Sequence, residues 1–386
     1  MTIFIVAAAF FIPLSLVAGY CAIFNLRLSS GQREATIDGA RGFLALGVVV
    51  HHFSIHASRV TSGLWQEPSN VFFRNLGPLS VTIFFMITAY LFYGKIMLKQ
   101  GNLDWISLYF GRLLRLTPMY MIAVLLVIFT AFSFTGFHLN VPFVSVVSSL
   151  IAWTSFTIFG SPDINGFSNT DLIIAKITWT LRYEWLFYLI LPVLALLVTL
   201  IKSKILRIFI IVALIFLGMS FPDARVSWLK LTYAVPFALG MIVYEFSEYS
   251  NWRRFCAEPF GSLLASFLLV MNLSVPVRTY GALQFVEIAL LFLLIVGGAS
   301  FWGLLKWHAT RVLGEATYGI YLLHAIFLFW LFSAAPAIGV MTWTLPVMTA
   351  LVTTVSLIGF FTIERPIMQL GRRRPIDKTL AVDATS

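Results

Sequence analysis

The chain has 386 residues, of which 60% are hydrophobic and only 11% charged. A soluble domain carries about a quarter charged residues, so this composition excludes one and points to a polytopic membrane protein. The net charge of +10 does not call for nucleic acid, because excess Lys and Arg in such a protein mark its cytoplasmic loops.

The first residues, MTIFIVAAAFFIPLSLVAGYCAIFNLRLSS, begin without a charged region, and their apolar run is too long for a signal peptide. They are read as a spanning helix over about 3–25. Further apolar segments follow near 40–57, 77–94, 117–136, 143–160, 179–200, 207–222, 229–246, 259–273, 281–300, 317–335 and 340–363. Nineteen Lys and Arg fall in one set of connections, among them Arg27, Arg33, Lys95, Lys202, Arg253, Lys306 and the tail from Arg365 to Lys378. Six fall in the other set: Arg59, Arg74, Lys176, Arg225, Lys230 and Arg278. The richer side is expected to be cytoplasmic. Parity then forbids 143–160 from crossing, so it is expected to be re-entrant or to lie along the outer surface. This predicts an all-α bundle of eleven crossings, N-terminus outside and C-terminus inside. The two cysteines, Cys21 and Cys256, have no metal or redox spacing and are read as packing residues.

The stretch DGARGFLALGVVVHHF, Asp38–Phe53, places one arginine and two histidines in an apolar helix expected over 38–57. A helix turns about 100° per residue, so His52 returns to within about 20° of Arg41 and stands about 16 Å further along the axis. His51 points roughly 80° away and is expected to pack between helices. A cation at the cytoplasmic mouth and an imidazole deep on the same stripe suit a ligand with an anionic head and a long arm. Arg41 can equally be a snorkelling helix-end arginine, and His52 an interhelical hydrogen-bond partner.

The Arg-x10-His pattern resembles the first core helix of the membrane acyltransferase family 3. FFMITAYLF (Phe84–Phe92), GRLLRLTPMY (Gly111–Tyr120), WTLRYEWLFYLILP (Trp179–Pro192), LGEATYGIYLLH (Leu313–His324) and IERP (Ile363–Pro366) resemble further motifs of that family, in its order. The resemblance covers roughly 37–370. It departs at Thr88-Ala89, where Ser-Gly is usual, and at Ser80, where a glycine is usual. It divides the chain into an added N-terminal helix with its cytoplasmic linker (1–36), a ten-helix core (37–370) and a basic, then polar, cytoplasmic tail (371–386).

The resemblance implies an integral O-acyltransferase, in particular an O-acetyltransferase, of the bacterial inner membrane. Its co-substrate would be acetyl-CoA or another acyl-CoA, and its acceptor a surface polysaccharide or lipid-linked sugar. Neither a metal nor a nucleic acid is implied, and the remaining contacts are with membrane lipids. A transporter or export channel without covalent chemistry is the alternative, since it too would line a cavity with charge. By the resemblance Arg41 holds the CoA phosphates, and His52 serves acyl transfer as a base toward the acceptor hydroxyl. Arg112 and Arg115 share a helix face at the same mouth and either complete the phosphate clamp or serve as cytoplasmic anchors. Glu184, inside an apolar helix, either orients His52 or binds acceptor hydroxyls, or else pairs with Arg182. Trp179 and Tyr188 either stack on sugars or belong to the interfacial aromatic belt. Thr88 keeps a hydroxyl at the expected serine position. Tyr318, Tyr321 and His324 recur at steps of three and form a polar stripe for substrate or orientation. Glu364 is expected to pair with Arg41 or Arg112 at the cytoplasmic end. Glu287 has no motif around it and is left unassigned.

Overall fold

The computed structural model describes residues 3–28, 34–221, 225–226 and 229–372. Arg33 and the tail beyond residue 372, which carried part of the charge argument, lie outside the described residues. The helices are α1 Ile3–Phe24, α2 Ala35–Ser62, α3 Val71–Leu98, α4 Trp105–Phe134, α5 Phe143–Thr154, α6 Trp179–Leu200, α7 Lys204–Ser220, α8 Val235–Ser247, α9 Ser250–Ala257, α10 Pro259–Ser274, α11 Ala282–Gly297, α12 His308–Glu315, α13 Thr317–Ala334, α14 Pro336–Gly339, α15 Thr344–Gly359 and α16 Arg365–Arg372. Among the described residues the only strands are a two-residue antiparallel pair, Arg225–Val226 with Leu229–Lys230. The protein is an all-α membrane bundle.

Among the described residues seven helices are long and apolar enough to cross a bilayer: α1, α2, α3, α4, α6, α13 and the run from α15 to Leu370. An eighth crossing results if α9 and α10, bent by 76°, count as one span. Eleven crossings were expected. The other three segments of that count are shorter helices: α7, with 17 residues, α11, with 16, and the apolar stretch Leu231–Ser247. At 1.5 Å per residue they reach about 24–26 Å. The segment expected not to cross contains only the 12-residue α5, which is about 18 Å long.

α2 and α3 are the interior of the bundle. Their buried residues run around most of the helix circumference, as expected for a helix enclosed by others. α1 is the opposite case. It is apolar throughout but buries only Ala9, Pro13, Leu14 and Val17, a narrow stripe at helical spacing. That stripe packs on α15 and α12, and the Tyr20 hydroxyl meets Thr354 Oγ1 at 3.1 Å. The rest of α1 faces outward, where lipid is an adequate solvent for Phe4, Phe11 and Ile12.

Buried polar groups tie the remaining helices. Arg207 on α7 donates to Glu245 of α8 at 2.9 Å, and the Tyr93 hydroxyl of α3 donates to the same carboxylate at 2.6 Å. Asn75 on α3 donates to the carbonyls of Asn272 and Val275, and Asn272 donates to Glu287 at 3.1 Å. This gives Glu287 a structural partner that the sequence did not indicate.

Two features of α2 and α13 position the site. The helices run parallel: Gly42 lies against Leu313 and Gly314 just before α13, and His52 meets His324 further along. At the near end the crossing is built from small residues. A Cβ on Gly314 would overlap the Asp38 carbonyl oxygen, and one on Gly39 would overlap the Leu305 carbonyl. The backbones therefore touch there, and this fixes the register that brings residues 272 positions apart into contact.

Candidate active site

The two adjacent histidines at the middle of α2 part ways. His51 Nδ1 bonds to the Phe73 carbonyl of α3 at 2.7 Å. This is the position between helices that its phase implied. His52 turns toward α13, where its Nδ1 lies 3.0 Å from His324 Nε2. His324 is completely buried, and its Nδ1 is 3.0 Å from the Ile320 carbonyl one turn back.

These contacts fix the protons. A carbonyl only accepts, so His324 Nδ1 carries hydrogen and donates to Ile320. In the neutral ring His324 Nε2 is then a bare acceptor, and His52 Nδ1 must donate to it. His52 Nε2 keeps its lone pair. The His52 ring is only partly buried, so this nitrogen is the basic end of an oriented chain. His52 is thus oriented by a second imidazole and not by a carboxylate.

A second cluster lies toward the start of α2. Arg41 and, from α4, Arg115 come within electrostatic range of Glu364. Arg115 and Arg112 are likewise close to Tyr188 of α6, whose hydroxyl donates to Glu184 one turn earlier. Arg112 also lies over the Phe92 ring, 5.0 Å from its centroid. A π-helical turn, Phe360–Glu364, shifts the phase between α15 and α16 and points Glu364 inward, where it is 2% exposed. Glu315 is near as well. Arg41, Arg112 and Arg115 thus share this region with Glu184, Glu315 and Glu364. Glu364 Oε1 and the Tyr318 hydroxyl are buried without a hydrogen-bond partner among the described residues. The region carries both signs of charge, and its guanidinium groups and the Tyr318 hydroxyl are donors, whereas the bare Glu364 oxygen is an acceptor.

The polar stripe of α13 joins the two clusters. Tyr318 lies electrostatically close to Glu184 and Glu364. Tyr321 bonds Thr180 Oγ1 at 2.7 Å and the Ile177 carbonyl at 3.2 Å, and its ring lies against His324. His324 completes the stripe at His52. Two sequence candidates lie outside this path. Trp179 belongs to an aromatic packing group with Tyr183, Tyr233 and Phe85. Thr88 is half-buried on α3, and its hydroxyl takes part in none of the described bonds to the histidine pair. Arg182 reaches Thr157 Oγ1 at 3.4 Å, away from the Glu184 carboxylate that Tyr188 occupies.

Two residues beside His52 were missed. Trp65 stacks on the His52 ring at 6.5 Å and 24°, and its edge meets His56 at 5.0 Å. His56 was legible, being four residues after His52 and so on the same helix face. Trp65 lies in a loop between α2 and α3, where no period applies.

A family model described as an acyltransferase domain matches residues 34–365. No curated protein and no solved structure matches the chain. The matched range contains both clusters and leaves α1 outside.

Proposed function

Since the chain belongs to the membrane acyltransferase family 3 and is an acyltransferase, we propose that it moves an acyl group, in particular acetyl, from cytoplasmic acyl-CoA to a hydroxyl of a cell-surface polysaccharide or its lipid-linked precursor. The single observation that carries this reading is the oriented pair His52–His324, which leaves the lone pair of His52 on Nε2, at the end of a stripe that begins at a cluster of arginines. Arg41, Arg112 and Arg115 offer planar forks of donors to the phosphates. Glu364 lies within electrostatic range of Arg41 and Arg115. His52 lies eleven residues from Arg41 along α2, about 16 Å, a span comparable to an extended pantetheine arm.

In the reaction His52 Nε2 takes the proton of the acceptor hydroxyl while that oxygen attacks the thioester carbonyl. A carbon–oxygen bond forms, the carbon–sulfur bond breaks, and the imidazolium returns the proton to the departing sulfur. The positive charge passing through His52 is stabilised by the lone pair of His324 Nε2, which accepts from His52 Nδ1. The basic end is assigned to the cytoplasm of a bacterial inner membrane, with the N-terminus outside and the C-terminus inside.

The test is release of free CoA from acetyl-CoA by the purified protein in nanodiscs, with and without acceptor glycan. Release should require acceptor. Arg41→Ala should weaken acetyl-CoA binding, and Arg41→Lys should restore only part of it, since a point charge cannot reproduce the fork. Glycan movement without any CoA release would favour a transporter.

A further inference from the structure

Beyond His52, at the end of α2 away from the arginine cluster, a cavity of about 420 Å³ opens between α2, α13 and the segment around residues 167–172. Of the residues placed at the site above, only His56 lines it. Its walls combine three kinds of group: the aromatic faces of Phe329 and Phe332, the polar Ser168 and Asn169, and one cation, Arg59. The described ion pairs, Lys176–Asp171, Arg207–Glu245, Arg253–Glu34 and Arg311–Asp38, do not include Arg59.

His56 also lines the cavity. It is 2% exposed, its ring is stacked on Phe332 at 5.3 Å and 18°, and its Nε2 is buried without a hydrogen-bond partner among the described residues. A buried polar nitrogen is costly to leave unmatched, so a ligand that supplies a partner there gains what the empty site forgoes. Trp65 touches both His56 and His52, so one indole connects a wall of the cavity to the reacting histidine. The step between the two histidines is four residues, about 6 Å, close to the width of one sugar ring.

We propose that this cavity is the acceptor site and that it selects a sugar unit bearing an anionic group, a carboxylate or a phosphate, which Arg59 binds. Phe329 and Phe332 take the apolar face of the ring. His56 and Asn169 bond hydroxyls, and the next hydroxyl is presented to His52. This rests on the acyl-transfer reading, but the binding step can be measured without it.

Equilibrium dialysis with the full chain in nanodiscs of zwitterionic lipid would use three probes: a radiolabelled glucuronate-containing disaccharide, its carboxyl-reduced neutral form, and the 6-phosphate of that neutral form. The native protein should bind the two anionic probes at least about tenfold more tightly than the neutral one, the scale of a charged hydrogen-bonded contact. Arg59→Gln should erase that preference by weakening only the anionic probes, and Arg59→Lys should keep part of it. The KM for acetyl-CoA should be unchanged in both variants. Tighter binding of one anionic probe than the other tells carboxylate from phosphate. Equal binding of charged and neutral probes by the native protein, or an Arg59→Gln variant that retains the preference, overturns the proposal. Arg59-dependent binding without acyl transfer to any bound probe leaves this site standing and overturns the acyl-transfer reading instead.

Discussion

His51 and His52 have ring centroids 5.1 Å apart, yet their surroundings give them different chemistry. His51 spends Nδ1 on a backbone carbonyl of α3, whereas His52 spends Nδ1 on another imidazole. His52→Ala should therefore lower acyl transfer by about 10²–10⁴ with acetyl-CoA binding retained, and His51→Ala should keep much of the activity. Steady-state kinetics beside donor-binding isotherms decide it, and reversed phenotypes would refute the helix phase. His324 acts through His52, so the conservative variant is informative. His324→Gln keeps an acceptor for His52 Nδ1 and should retain more kcat than His324→Ala, with the KM for the donor equal in the two. Loss of both activities alike would leave His324 a packing residue only. The phase of His52 was legible because eleven residues make nearly whole turns. Its partner was not, because the offset between two packed helices leaves no period in the sequence.

At the level of helices, the site depends on contacts made elsewhere. The Gly39 and Gly314 crossing sets the register of α2 on α13. In the sequence these were only glycines in apolar or mixed runs, and what opposes them is a matter of tertiary packing. The Arg207–Glu245–Tyr93 group clamps α7, α8 and α3 and is almost closed to solvent, with the Glu245 side chain 3% exposed. Removing one partner leaves an uncompensated charge in a medium that solvates it poorly. Glu245→Ala should lower stability by about 3–5 kcal/mol, measured by the unfolding equilibrium in mixed micelles, while Lys99→Ala, an exposed neighbour at the same end, should change it little. Equal effects would remove the clamp from the account. The motifs of α6 and α13 were legible as polar residues in apolar helices. The packing role of Trp179 was not, since an indole near a helix start suits either an interface or a core.

Across the whole chain, apolar run length announced a bundle, and charge bias announced two faces. The number of crossings was less legible, because a 16-residue apolar helix and a 22-residue one give similar hydropathy signals but differ in length by about 9 Å. Single-cysteine labelling near residues 140 and 165 should report the same outer side, since the intervening helix has only 12 residues. Labelling from opposite sides would overturn that topology. The His52–His324 contact has one more consequence, which concerns time. The second imidazole is synthesised 272 residues after the first, which at 5–20 residues per second is roughly 15–55 s. Throughout that interval α2 is already made, and its half of the proposed catalytic pair has no counterpart. The contact is thus made near the end of biogenesis, when α13 enters beside a helix laid down at the beginning, and on the mechanism proposed above a nascent chain that lacks α13 should have no acyl-transfer activity.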